Sequence, residues 1–191
     1  MTPHEPESQA LITSNEAQKL SAQLLMEVEL TRRPGWNKAD PELLGNPVSV
    51  HQLAPTDLVY YITCFKVIIN GEPLEAVVRI NALQQAEGDR YLQSVLLPSG
   101  ATSIYLAESR KRVLSKFKKP ENAQLVWEFN SDSLSPLLPY YQLEEDGQVE
   151  RLRIDGFRFL ARRDFGDQLK GKDIISDPKR DSIDSIVKKN H

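Results

Sequence analysis

Apolar and polar residues alternate over two long stretches of the chain, and Asx-Gly dipeptides cut both. Asn70-Gly71 divides the run from Leu58 to Leu83, while Asp146-Gly147 and Asp155-Gly156 divide the segment from Pro139 to Ala161. Alternation predicts half-buried strands. Asx-Gly supplies the positive φ that a two-residue hairpin loop needs, so these turns set register as well as strand ends. With Ile69 opposite Glu72, Val67 pairs with Leu74, Phe65 with Ala76, Thr63 with Val78 and Tyr61 with Ile80. That face is apolar apart from Thr63 and the turn end. The other face sets Lys66 against Glu75, Cys64 against Val77 and Ile62 against Arg79. It is expected to be partly wet, the common condition of one side of an antiparallel sheet. The second stretch brings Tyr141, Leu143, Leu152, Ile154, Phe157 and Phe159 to one side and leaves Arg151, Arg153 and Arg158 on the other.

Helical spacing governs two segments. Thr13 with Glu16 three residues on forms a capping-box signature, after which Ala17, Leu20, Leu24 and Val28 recur on one stripe, widened by Ala22 and Leu25. Pro34-Gly35 ends this helix, and Trp36 to Pro47 reads as loop, followed by a short strand near Val48 to Leu53 and another from Tyr91 to Leu97. A second helix is expected over Glu108 to Phe117, stopped by Lys118-Lys119-Pro120. Next comes a strand with Ala123, Leu125, Trp127 and Phe129 on one face.

The order helix-then-strands therefore occurs twice. The chain is read as an α+β protein of two helix-plus-antiparallel-sheet units: a flexible N-terminus over 1–12, a first unit over 13–100, a second over 101–163, and a polar tail over 164–191. Tyr60-Tyr61 before Asn70-Gly71 and Arg79-Ile80-Asn81 is echoed by Tyr140-Tyr141 before Asp146-Gly147 and Arg153-Ile154-Asp155, which suggests an internal repeat. Such a helix across a curled sheet resembles the cystatin-like arrangement. Tyr140-Tyr141-Gln142-Leu143, the turn at Asp146-Gly147 and Leu152-Arg153-Ile154-Asp155-Gly156-Phe157 resemble the related PepSY-type module of peptidase propeptides. The resemblance implies an inhibitor-like or regulatory module. The cystatin Gln-x-Val-x-Gly inhibitory loop is absent, with Gln85-Ala86-Glu87-Gly88 only a partial echo.

Composition narrows the chemistry. The 191 residues carry a net charge of −3, which disfavours a generic nucleic-acid binder, although the first hundred residues are net acidic and the remainder net basic. One cysteine, Cys64, excludes an intramolecular disulfide. The three histidines, His4, His51 and His191, have no metal-binding spacing. There is no nucleophile elbow, phosphate loop or dinucleotide fingerprint. No cofactor or metal is expected. With no secretory leader or apolar run of membrane-spanning length, the expected location is cytoplasmic.

Three groups remain as candidate sites. Trp36 lies in the loop between helix and sheet. The tract SDSLSPLLPYY presents Leu134, Leu137 and Leu138, which form a partner-binding edge if they do not fold under. Arg110, Lys111, Arg112, Lys116, Lys118 and Lys119 make a basic patch that Arg151, Arg153 and Arg158 would extend if the helix edge lies nearby. The leading reading is a non-enzymatic module that binds another protein through a sheet face, an edge strand or the Pro-rich loop, with a homodimer left open. Its rivals are a ligand-binding or catalytic cone lined by Tyr61, Phe65, Trp127 and Tyr141, and nucleic-acid binding through 110–119.

Overall fold

The Asn70-Gly71 turn takes the positive-φ conformation its sequence calls for, with φ of 55° and 79°. It joins the two longest strands of the sheet. The computed structural model describes residues 10–52, 58–84, 88–128, 135–145 and 147–157, all within one compact unit that spans Met1–Phe159. Leu134, Phe129, Asp146, Arg158, Phe159 and the 164–191 tail lie outside the described residues.

Helix α1 spans Ser14–Leu24. Its Thr13 capping box is made as the sequence predicts, with Thr13 Oγ1 accepting from the Glu16 N–H and the Glu16 carboxylate accepting from the Thr13 N–H. The helical path continues through a π-helical stretch, Leu25–Glu29, and a 3₁₀ turn, Leu30–Arg32. Strands β1 (Glu42–Leu43) and β2 (Val48–His51) precede the long hairpin β3 (Leu58–Ile69) and β4 (Glu72–Asn81), and β5 (Tyr91–Pro98) follows. A 3₁₀ turn over Ala101–Tyr105 leads into α2 (Ala107–Leu114). The chain then forms β6 (Gln124–Val126), β7 (Tyr140–Glu145) and β8 (Gln148–Arg153).

The registers predicted about Asn70-Gly71 and Asp146-Gly147 are found pair for pair, whereas at Asp155-Gly156 the Arg153 N–H donates to the Phe157 carbonyl, one residue off the predicted pairing. Tyr61 faces Ile80, Phe65 faces Ala76, Val67 faces Leu74, and Glu145 faces Gln148 across the second turn. The strands form one mixed sheet in the order β5-β4-β3-β2-β6-β7-β8, with β1 also pairing to β3. The first and second halves meet where β2 runs parallel to β6, His51 beside Val126. The protein is thus α+β, with its two strand groups sharing a continuous sheet. The repeated Arg-Ile-Asx motif sits at different registers in the two hairpins: Ile80 is opposite Tyr61, whereas Tyr141 is opposite Leu152.

Each side of this sheet has its own core. Under α1 lie Tyr61, Phe65, Val67, Ala76, Val78 and Ile80. Under α2 and the 3₁₀ turn before it, the other side joins Val48, Val50, Tyr60, Ile62, Cys64 and Val77 of the first half to Leu125, Tyr141, Leu143, Leu152 and Ile154 of the second. The hairpin face expected to be partly wet is therefore covered over its middle, where Ile62 and Val77 are 0% exposed and Cys64 is 3% exposed, and stays wet near the turn, where Lys66 and Ile68 are exposed. The sequence pattern was misleading here because the cover comes from residues 101–117, remote in sequence. Lys66, opposite Glu75 in the register, pairs with Glu42 at 3.6 Å, while Glu75 is buried on the second-core side. There its carboxylate accepts N–H bonds from Gly100 (2.7 Å) and Thr102 (2.8 Å), fastening the 3₁₀ turn to the sheet. Burial works to raise the Glu75 carboxyl, and these two donors outweigh it, holding it below its ordinary value.

The α1 stripe is also displaced from its predicted phase. Ala17, Ser21, Leu25 and Leu30 are the buried positions, while Leu20 and Leu24 pack only partly against the core. Ser21 reaches the sheet by a hydroxyl bond to Thr63 (3.1 Å), a buried polar contact at a place where the pattern predicted an apolar one. Beyond Leu24 the π-helical turn adds a residue to the repeat, so the next core residue falls at Leu30 and not at Val28 or Glu29.

Candidate functional site: an uncharged open edge strand

A sheet that does not close has two edge strands, and half the backbone N–H and C=O groups of each point away from the sheet. Among the described residues the edges are β5 and β8. Natural edge strands are usually shielded by charge, proline or brevity, because an unshielded one invites pairing with another chain. Strand β8, Gln-Val-Glu-Arg-Leu-Arg, carries Glu150, Arg151 and Arg153. Arg151 Nε donates to Gln142 Oε1 at 2.7 Å, and Arg153 is fixed by Asp155 at 2.7 Å. That ion pair and the Phe157 N–H hold the Asp155 carboxyl below its usual range.

Strand β5 has no charge to protect it, and its proline stands only at the last position, Pro98. Its eight residues, Tyr-Leu-Gln-Ser-Val-Leu-Leu-Pro, carry no charge, and no charged residue occurs between Arg90 and Glu108. Among the described residues no strand pairs with its outer side. Every β5 residue keeps some solvent exposure, and Leu92, at the register shift opposite Arg79 and Ile80, is 37% exposed. The strand is nonetheless held rigidly: seven Cα partners on β4 fix it from Leu74↔Pro98 to Ile80↔Tyr91. The Tyr91 hydroxyl bonds Ser94 Oγ, which in turn donates to Glu29 at 3.2 Å. The sequence signal for this edge was the uncharged run itself. Which strands would be terminal was not legible before the β2–β6 pairing was known.

The residues that sequence reasoning put forward are placed otherwise. Trp36 is half-buried against the core under α1, bridged to Ile69 and sitting beside the hairpin turn. There the Asn70 N–H donates to the Gly35 carbonyl at 2.8 Å. Gly35 has φ of +83° and a Cβ on it would come within 1.7 Å of the Asn70 side chain, so only glycine permits this approach. Leu137 and Leu138 fold under and pack against the core on the α2 side. Their loop is fastened by the Tyr60 hydroxyl on the Pro136 carbonyl (2.7 Å) and the Tyr105 hydroxyl on the Leu137 carbonyl. Burial raises both of these phenols well above their ordinary values.

Three of the six patch cations reach across to the sheet or its last turn, and a fourth, Arg112, donates to Ser109 Oγ of its own helix at 3.3 Å. Arg110 Nε donates to the Tyr141 hydroxyl (3.0 Å), Lys116 to the Gly156 carbonyl (3.3 Å), and Lys119 pairs with Glu145. Lys111, Arg112 and Lys118 are exposed. Arg151 and Arg153 do not extend the patch, because strand alternation puts them on the other face of the sheet from Tyr141 and Leu152, whose side α2 covers. Phe157, expected on the apolar side, is 58% exposed with the Arg153 guanidinium over its ring at 5.1 Å.

The rival cone does not assemble either. Tyr61 and Phe65 belong to the core under α1, while Trp127 and Tyr141 pack on the opposite side of the sheet. Cys64 is buried, and that burial together with Glu75 pushes its thiol up to about 12, far from the thiolate a nucleophile requires. Among the described residues no three His, Cys, Asp or Glu side chains converge to hold a metal ion. No described helix is long and apolar enough to cross a membrane. No family model matches the chain, and neither a curated protein nor a solved structure does.

Proposed function

We propose that this protein is a non-enzymatic protein-interaction module that takes an extended segment of another protein onto the open edge of β5 by strand addition. The single observation that carries this reading is the contrast between an eight-residue edge with no charge and a charged edge at the far end of the same sheet. Main-chain hydrogen bonds to the outward groups of β5 would supply affinity, and the alternating exposed side chains, Leu92 foremost, would supply selectivity. A rigid edge loses little conformational freedom on binding. The same proposal treats the two halves as cystatin-like units in tandem. It is supported by the recurrence along the chain of a helix followed by antiparallel strands, α1 before β3-β4-β5 and α2 before β6-β7-β8.

The test is capture of a protein partner by the full chain, followed by hydrogen exchange on the complex. The outward amides of Tyr91–Pro98 are expected to become protected, and Leu92→Lys is expected to abolish capture while leaving the melting temperature in place. Protection confined to another surface, or undiminished capture by Leu92→Lys, refutes the reading.

A further inference from the structure

The displaced phase of α1 leaves apolar surface outside the core. Leu20 and Leu24 line a cleft of about 460 Å³ together with Ile12, Glu16, Lys19, Gln23, Gln84 and Arg90. The size suits a small ligand, and the lining has the expected character, an apolar floor with few polar groups at its rim.

Arg90 is the unusual member. It is only 7% exposed, yet its guanidinium is held by neutral acceptors: Nη1 donates to the carbonyls of Asn81 (2.9 Å) and Leu83 (2.6 Å), and Nη2 to that of Gln84 (2.8 Å). Of the five N–H donors of an arginine this leaves two unassigned. No ion pair to Arg90 occurs among the described residues. A buried cation with no ion pair is an expensive arrangement, and the acid lining the cleft, Glu16, acts on Arg90 through space alone. The nearest acid in the cleft, Glu16, is already engaged by the Thr13 N–H (2.7 Å) and hydroxyl (2.8 Å) at the start of α1. Lys19, exposed on the same helix, brings a second positive charge. Set against Glu16, the two cations leave the cleft with one net positive charge over an apolar floor.

We infer that this cleft binds a small amphipathic monocarboxylate, its carboxylate between Lys19 and Arg90 and its apolar tail along Ile12, Leu20 and Leu24. One carboxylate balances the excess charge, and an Arg fork suits its two oxygens. The tail covers the sides of Leu20 and Leu24 that the core leaves exposed. The site is separate from the outer side of β5, and its occupation does not depend on strand addition there.

Octanoate titrated into the ¹⁵N-labelled full chain tests the inference, with octanol and octylamine as controls. Saturable shifts are expected at amides of residues 16–24 and at Gln84 and Arg90, with octanol and octylamine at least about tenfold weaker. Lys19→Glu, a change at an exposed position, is expected to weaken octanoate by about tenfold or more. Leu24→Asp should also abolish binding, since it places a charge on the apolar floor. Equal binding of octanol, shifts centred elsewhere, an unaffected Lys19→Glu protein, or no saturable response at millimolar octanoate would overturn the assignment.

Discussion

The two faces of the β3–β4 hairpin differ in sequence, and yet both are dry over their middle; only toward the turn does the second face stay wet, at Lys66 and Ile68. The face with Tyr61, Phe65, Val78 and Ile80 is nearly all apolar and is covered by α1, which adjoins it early in the chain. The face with Ile62, Cys64, Glu75 and Val77 is mixed and is covered by a helix and strands from the second half. Alternation along a strand reports the difference in polarity between its two sides. It does not report whether the more polar side is later covered, because that depends on where remote elements dock. Glu75 shows how a charge is accommodated when this happens: its carboxylate becomes the acceptor for backbone donors at Gly100 and Thr102, so the polar position turns into a fastening point.

The sharpest way to break this comparison is to cut a large side chain from each face. Phe65→Ala should lower stability by about 3–5 kcal/mol and Ile62→Ala by about 2–5 kcal/mol in denaturant unfolding. If the second face were wet, Ile62→Ala would instead fall within about 0.5 kcal/mol, the range of surface changes.

Removing the charge at the fastening point comes next. Glu75→Gln should cost about 1.5–3 kcal/mol, the range for hydrogen bonds to a charged group. Since the folded carboxyl is held below its ordinary value of 4.5, the stability it contributes is complete above that value and is lost as pH falls through the lower folded one. The gap in melting temperature between wild type and Glu75→Gln should therefore be full at neutral pH and narrow on acidification below the ordinary value. A gap independent of pH would show that the carboxylate does not act through its charge.

Smaller effects sharpen the picture on the α1 side. Thr13→Ala should cost about 1 kcal/mol through loss of the cap, readable as a loss of helical signal and of melting temperature. The doubly charge-reversed Lys111→Glu, Arg112→Glu protein should match the wild type within about 0.5 kcal/mol, since both side chains are exposed and neither reaches across to the sheet. It should also keep its partner, whereas Leu92→Lys, equally mild for the fold, should lose it. A patch variant that lost the partner would move the binding surface from β5 to α2.

Local chemistry made much of this legible. The Asn-Gly turn requires positive φ at both central residues, and that requirement fixed every pair from Ile69–Glu72 to Tyr61–Ile80. The Thr13 capping box marked the start of α1 for a similar reason, since cap and acceptor lie three residues apart. The candidate site was less legible. Leu137 and Leu138, in a proline-rich tract, looked exposed because the Tyr60 and Tyr105 hydroxyls that fasten their loop come from remote parts of the chain. Arg110 looked like one more surface cation because its acceptor, Tyr141, is on a strand of the sheet beneath α2.

The sequence by itself determined the Asn70-Gly71 and Asp146-Gly147 hairpins with their registers, the helix starts and the α+β character, all of them consequences of backbone conformational preference and short-range spacing. Only the tertiary structure decided that β2 and β6 join two strand groups into one sheet, that its two sides have separate cores, and that β5 is left as an uncharged edge. Those outcomes depend on contacts between residues far apart in sequence, where burial of apolar surface favours association but carries no local mark of which surfaces will meet.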